Sequence, residues 1–184
     1  DSFRVKIDLK AINKLQLTFD ANGSSFDNND LTNRVQFAYD ENASKLYIMN
    51  GTYKDRANNG LKGKTDFVFF GWNDRWDGSG VNYTGLSALS AIHPNSDRDV
   101  LTLYSNWKTN ITFNANGGII VGGSTNEERA LAGRSSGSVS YSLNQSASTG
   151  LSAQKEGYSF VEWNTKADGS GIAMDSIDRI SASN

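Results

Sequence analysis

The 184-residue chain contains no cysteine. That excludes a disulfide framework, a thiolate metal site and a cysteine nucleophile, although it does not exclude secretion. A single histidine, His93, is present, so no site of several histidines can form and a Ser-His-Asp arrangement has one candidate. His93 precedes Pro94 in the turn-like run His93-Pro94-Asn95-Ser96-Asp97 and reads as loop surface. Charge of neither sign is gathered. Net charge is −2 and the pI about 5.4, with Lys and Arg scattered. No basic stripe follows a phosphate backbone, so nucleic acid is not expected as a partner. No apolar run approaches the ~20 residues of a membrane span, so no membrane insertion is expected. No signal-peptide pattern stands at the N-terminus, and Asp1 reads as a processed or excised start.

What the chain does have is Asn, Ser, Gly and Thr in quantity, with 11% aromatics and one proline. Short strands joined by many turns have this composition. Asn and Gly supply the positive φ angles of tight turns, and the aromatics supply core mass. Strand-like alternation runs through 3–9, 15–19, 67–70, 101–104, 111–113 and 138–143. The segment 45–49 ends at Asn50-Gly51, a strand-to-turn signal.

The chain also repeats itself. Leu17-Thr18-Phe19-Asp20-Ala21-Asn22-Gly23 returns 94 residues later as Ile111-Thr112-Phe113-Asn114-Ala115-Asn116-Gly117. Trp72-Asn73 followed by Asp77-Gly78-Ser79-Gly80 returns 91 residues later as Trp163-Asn164 followed by Asp168-Gly169-Ser170-Gly171. Solenoid units of roughly 20–50 residues cannot bury a core alone, whereas about 90 residues suffice for a small domain. Two similar modules are therefore expected, at 15–107 and 108–184, after a lead-in strand at 1–14. The joint Trp107-Lys108-Thr109 has no Gly, Pro or spacer, so an elongated pair with a restricted hinge is expected. Duplication also argues against a single catalytic centre.

Helical signals are fewer. Leu86, Leu89 and Ile92 fall at three-residue spacing, and a shift of 91 places Ile177 and Ile180 under Leu86 and Leu89. This predicts a short helical or 3₁₀ turn late in each module. Ser124-Thr125-Asn126-Glu127 reads as a capping box opening a short helix over 127–132. The fold class expected is α+β and strand-rich.

The run 17–23 resembles the opening "VTFDANGG" strand of the Listeria–Bacteroides repeats, the B-repeat of internalin-type bacterial surface proteins. Gly157-Tyr158-Ser159-Phe160-Val161-Glu162-Trp163 is similar to the middle "GYTFxGW" signature, with Phe67-Val68-Phe69-Phe70-Gly71-Trp72 as the first copy. Gly78-Ser79-Gly80-Val81 resembles the "GT" turn, and Leu103-Tyr104-Ser105-Asn106-Trp107 the closing "LYAxW" strand. The segments 24–66 and 118–155 carry no signature. The resemblance implies two tandem β-grasp, ubiquitin-like modules in an elongated arrangement, within the extracellular part of a bacterial surface protein. It marks Phe19, Phe69, Trp72, Trp107, Phe113, Phe160 and Trp163 as structural motif residues.

Two features depart from the family pattern. The stretch from the first motif to its tryptophan is longer, and the second copy reaches Asn184 before any counterpart of 103–107. A module without its last strand exposes an unpaired edge. The favoured expectation is a longer array cut at both ends, with 3–9 fitting the closing strand of a preceding repeat. A strand borrowed from elsewhere, or an altered copy that needs none, are the alternatives.

Trp72 and Trp163 read as core or inter-module packing, since tryptophan buries a large area. Trp76, in the turn Asn73-Asp74-Arg75-Trp76-Asp77-Gly78, is with Asp77 the candidate ligand contact, for example for a sugar. Calcium does not suit the turns 73–80 and 164–171, because Arg75 and Lys166 stand at the third, ligand-bearing position. Asp-Gly-Ser-Gly reads as a hairpin turn, and Asp27-Asn28-Asn29-Asp30 as a solvated loop. The Asn-x-Ser/Thr sequons beginning at Asn22, Asn42, Asn50, Asn82, Asn110 and Asn144 follow from composition. No catalytic residue, metal or cofactor is expected. The expected function is a non-catalytic spacer or adhesive module, extracellular or on the cell surface, that positions or assists binding to a host or matrix protein or glycan. The alternative is a carbohydrate-binding accessory module of an extracellular polysaccharide-processing enzyme.

Overall fold

Alternation becomes strand where one face finds a core: Leu15, Leu17 and Phe19 are buried while Gln16 and Thr18 between them are half-exposed. The computed structural model describes residues 13–40, 45–51, 60–84 and 100–181. The strands are β1 (Asn13–Asp20), β2 (Thr32–Asp40), β3 (Lys45–Asn50), β4 (Val68–Asn73), β5 (Asn82–Tyr83), β6 (Val100–Asn114), β7 (Ile119–Gly122), β8 (Ser136–Ser142) and β9 (Leu151–Gln154). Among the described residues a helical turn, α1 (Asn126–Arg129), follows β7, and a 3₁₀ turn spans Met174–Ser176. The architecture is strand-rich α+β. The expected strand at 3–9, the apolar spacing Leu86-Leu89-Ile92 and His93 lie outside the described residues.

Among the described residues, seven strands form one mixed sheet in the order β3-β2-β1-β6-β4-β5, with β8 also on β6; β7 and β9 make a separate ribbon. β1 and β6 run parallel, and the other neighbours antiparallel. The segments 101–104 and 111–113, expected as two strands, are one: β6 is 15 residues long and passes straight through the joint at Lys108. It contains neither Gly nor Pro, so nothing interrupts it, and at about 3.3 Å per residue it spans roughly 50 Å. Lys108 pairs with both Val68 and Ser142, which places β4 and β8 on opposite edges of β6.

Phe69 and Trp72 are three apart, yet both rings face the core, at 5.5 Å from each other, with Phe69 5.6 Å from Trp107. A bulge between Phe69 and Gly71 makes this possible. Gly71 has φ +136°, and a Cβ there would lie 2.8 Å from Tyr83 O, so the bulge needs glycine.

The capping box is displaced by one residue from the sequence reading. Thr125 is the N-cap and Glu128, not Glu127, completes the box. The reason is burial: Glu128 points inward while Glu127 is exposed. Ile177 and Ile180 follow the 3₁₀ turn rather than forming it. Ile177 is extended, and Ile180 is buried with its N–H on Gln145 O at 2.9 Å.

Candidate functional site

The repeated turns are built from one asparagine each. Asn73 Oδ1 accepts from Arg75 N (2.8 Å) and Gly80 N (3.1 Å), and its Nδ2 donates to Gly78 O (3.3 Å). Asn164 Oδ1 accepts from Lys166 N (3.0 Å) and Gly171 N (2.9 Å), and its Nδ2 donates to Gly169 O (3.2 Å). Within each turn a carboxylate takes the serine two residues on. Asp77 Oδ1 accepts from Ser79 Oγ (2.7 Å) and N (3.1 Å), and Asp168 Oδ1 from Ser170 Oγ (2.8 Å) and N (3.0 Å).

These bonds hold both carboxyls below the usual range. The Ser79 hydroxyl bond is the largest cause at Asp77, with a smaller contribution from Arg179, and the Ser170 N–H bond the largest at Asp168. Ionised at neutral pH and engaged within their own turns, they are turn acceptors and not proton donors.

The aromatic contacts also recur. Phe19 meets Trp72 edge-on at 4.7 Å, and Phe113 meets Trp163 edge-on at 5.0 Å. Phe160 stands 5.3 Å from Trp163, as Phe69 stands 5.5 Å from Trp72. Asn22 Nδ2 donates to Trp76 O (2.7 Å), and Asn116 Nδ2 to Ala167 O (3.2 Å). Lys64 and Lys155 close each opening turn, donating at 2.9 Å to Gly23 O and Asn116 O. Sequence reasoning passed over these lysines because their surroundings carry no signature, although they share the 91-residue offset. Strand pairing repeats too: Leu17 faces Val35 and Ile111 faces Val139.

Surroundings differ between the halves. Phe19, Trp72, Trp107 and Phe113 are buried, Phe69 and Trp163 half-buried and Phe160 exposed. Trp163 Nε1 donates to Leu151 O at 3.0 Å, and Trp107 Nε1 to Ala21 O at 3.2 Å.

Trp76 and Asp77 lie against the second half of the chain. Trp76 is 44% exposed, but the Arg179 guanidinium sits over its ring at 4.8 Å. Arg179 Nη1 donates to Asn144 O (2.7 Å), Asn144 Nδ2 to Asn22 Oδ1 (3.1 Å), and Asn22 in turn to Trp76 O. Trp76 is therefore part of a polar joint, and one of its faces is already taken. Arg179 was not singled out from sequence and Asn144 only as the start of a sequon, since nothing local to either announces a partner more than 100 residues away.

Glu128 is the buried acid of the molecule's described part. Oε1 accepts from Tyr141 OH (3.0 Å) and Thr149 Oγ1 (2.8 Å), and Oε2 from Ser124 N (2.7 Å) and Thr125 N (3.3 Å). Burial alone would push this carboxyl up, but the combined donors outweigh it and hold it below the usual range. Among the described residues, no cluster of three acids or histidines could hold a metal ion, and no helix is long and apolar enough to cross a membrane.

No curated protein and no solved structure matches the chain. A family model does: over residues 110–184 the chain matches the Listeria-Bacteroides repeat domain, in one copy, a repeat found in bacterial surface proteins.

Proposed function

We infer that the chain is a tandem pair of such repeats, 15–107 and 108–184, each a β-grasp module, and that it serves as a non-catalytic spacer or adhesive segment outside a bacterial cell. The observation that carries this reading is the duplicated set of hydrogen bonds and ring contacts hung on one uninterrupted strand. β6 supplies the closing strand of the first set and the opening strand of the second. A shared strand transmits orientation and tension from one unit to the next, which is what a spacer requires. The duplicated acids Asp77 and Asp168 are engaged in their own turns, which supports a role without catalysis.

Small-angle scattering of the purified chain tests the spacer reading. The radius of gyration should exceed the ~16 Å of a compact globule of this length, and a compact value would sink it. Binding to matrix proteins, glycans and host cells tests the adhesive part. If the accessory-module alternative holds, saturable glycan binding will disappear in Trp76→Ala, whose ring has one face outside the Arg179 contact.

A further inference from the structure

Tyr104 pairs with Asp20 of β1 and Asn73 of β4, and Lys108 with Val68 of β4 and Ser142 of β8. β1 and β8 therefore share the edge of β6 opposite β4. On that edge β1 pairs as far as Tyr104 and β8 from Lys108 onward, which leaves residues 105–107 between them. Both halves of the chain close this interval. Asn22 Nδ2 donates to Ser105 O (3.1 Å), and Leu143 N to Trp107 O (2.7 Å). The Asn22 amide thus stands in for a peptide group. Its Nδ2 also donates to Trp76 O (2.7 Å), and its Oδ1 accepts from Asn144 Nδ2 (3.1 Å).

Arg179 joins these contacts into a ring. Its Nη1 donates to Asn144 O (2.7 Å), while its guanidinium lies over the Trp76 ring at 4.8 Å. Asn22 and Trp76 come from the first half, Asn144 and Arg179 from the second. Arginine suits the place, because a planar guanidinium stacks on an aromatic face and donates from its edge at the same time.

The repeat separates what belongs to the turn from what belongs to the joint. Asn116 makes the counterpart of the Asn22–Trp76 bond, to Ala167 O (3.2 Å), so that bond is part of the turn. The ring–guanidinium contact is not repeated: at the 91-residue offset Trp76 corresponds to Ala167 and Arg179 to Ala88. The two copies thus differ at the two side chains that meet across the halves.

We propose that Asn22, Trp76, Asn144 and Arg179 form a clasp that fixes the angle between the two halves about β6. A strand bends and twists along its length, and the clasp braces β6 where one flanking strand gives way to the next. Each member holds two others, so the loss of one loosens the ring as a whole. As a device for holding direction the clasp rests on the spacer reading, but the two fail separately. A compact radius of gyration sinks the spacer, and a loose joint sinks the clasp.

Because the chain has no cysteine, Gln36→Cys and Glu127→Cys place one spin label at an exposed position in each half. Pulsed electron–electron resonance should give one narrow distance distribution for this labelled parent. Arg179→Ala and Asn22→Gly should each broaden it about twofold or more, as a freed hinge does. Glycine keeps the positive φ of Asn22, 41°, and removes the amide alone. The double variant should be little broader than either single one, since both open the same ring. Circular dichroism matching the parent qualifies each variant; Arg179 is exposed, so Arg179→Ala decides should Asn22→Gly not fold. A broad distribution in the parent, or an unchanged one in Arg179→Ala, overturns the proposal. Additive broadening in the double variant overturns it too, because the residues would then act separately.

Discussion

Gly78 sits directly on Ser142 of β8: a Cβ built on Gly78 would stand 2.6 Å from Ser142 Oγ and 2.7 Å from its Cβ, at a backbone φ of +74°. The repeated glycine, Gly169, has nearly the same φ, +77°, and nothing within 4 Å. One turn chemistry thus serves two surroundings, docked in the first half and open in the second.

The pair of glycines separates conformational strain from packing. Gly169→Ala should cost about 1–2 kcal/mol, the penalty of a left-handed non-glycine residue. Gly78→Ala should cost that plus about 1–3 kcal/mol for the clash with Ser142. Urea denaturation of both variants measures the difference, and equal losses would show that the turn does not bear on β8.

Trp72 and Trp163 occupy one sequence motif but not one environment. Trp72 is fully buried among Phe19, Phe26 and Phe69, so Trp72→Ala should cost about 3–5 kcal/mol. Trp163 is half-buried beside a groove of about 470 Å³, and its alanine variant should lose roughly half as much. Chemical unfolding followed by the remaining tryptophans would show whether the ranking holds.

Glu128 accepts from Tyr141, Thr149 and the backbone of Ser124 and Thr125. Glu128→Gln puts an NH₂ where donors converge and should cost about 1–3 kcal/mol. Because the folded carboxyl is held low, its contribution is present above the unfolded carboxyl's pKa of about 4.3 and is lost as pH falls through the lower folded value. Melting temperature against pH should therefore drop less steeply below pH ~4 in Glu128→Gln than in the parent.

Tyr141 provides the alkaline counterpart. Burial, reinforced by the neighbouring Glu128 charge, pushes its phenol from 10.0 to about 12. A raised folded pKa favours the native state fully below the unfolded value and loses that contribution as pH rises toward the folded one. Stability should decline between pH 10 and about 12, and Tyr141→Phe should flatten that limb. An unchanged alkaline profile in the variant would remove Tyr141 from the account.

The parts that were legible in the sequence are those closed by local bonds. Asn73 with Gly78 and Gly80, and Asn164 with Gly169 and Gly171, complete their turns within eight residues, so spacing and residue type suffice to announce them. The strand alternation at 15–19 and 138–143 was equally visible, because one buried face writes a period of two. The repeat itself is a property of sequence, and its motif aromatics Phe19, Trp72, Phe113 and Trp163 meet in both halves as that repetition implies.

Only the tertiary structure decided what lies between and beside these motifs. Segments 101–104 and 111–113 are one strand because partners arrive on both edges at Lys108. Phe69 and Trp72 share a face because a bulge at their midpoint packs against Tyr83. Glu128 displaces Glu127 in the cap because Tyr141 and Thr149 call it inward from distant strands and loops. Trp76 became a joint residue when Arg179 was brought over its ring. In each case the deciding contact joins residues far apart in the chain, and a strand edge, open or paired, is set by its neighbours in space and not by its own sequence.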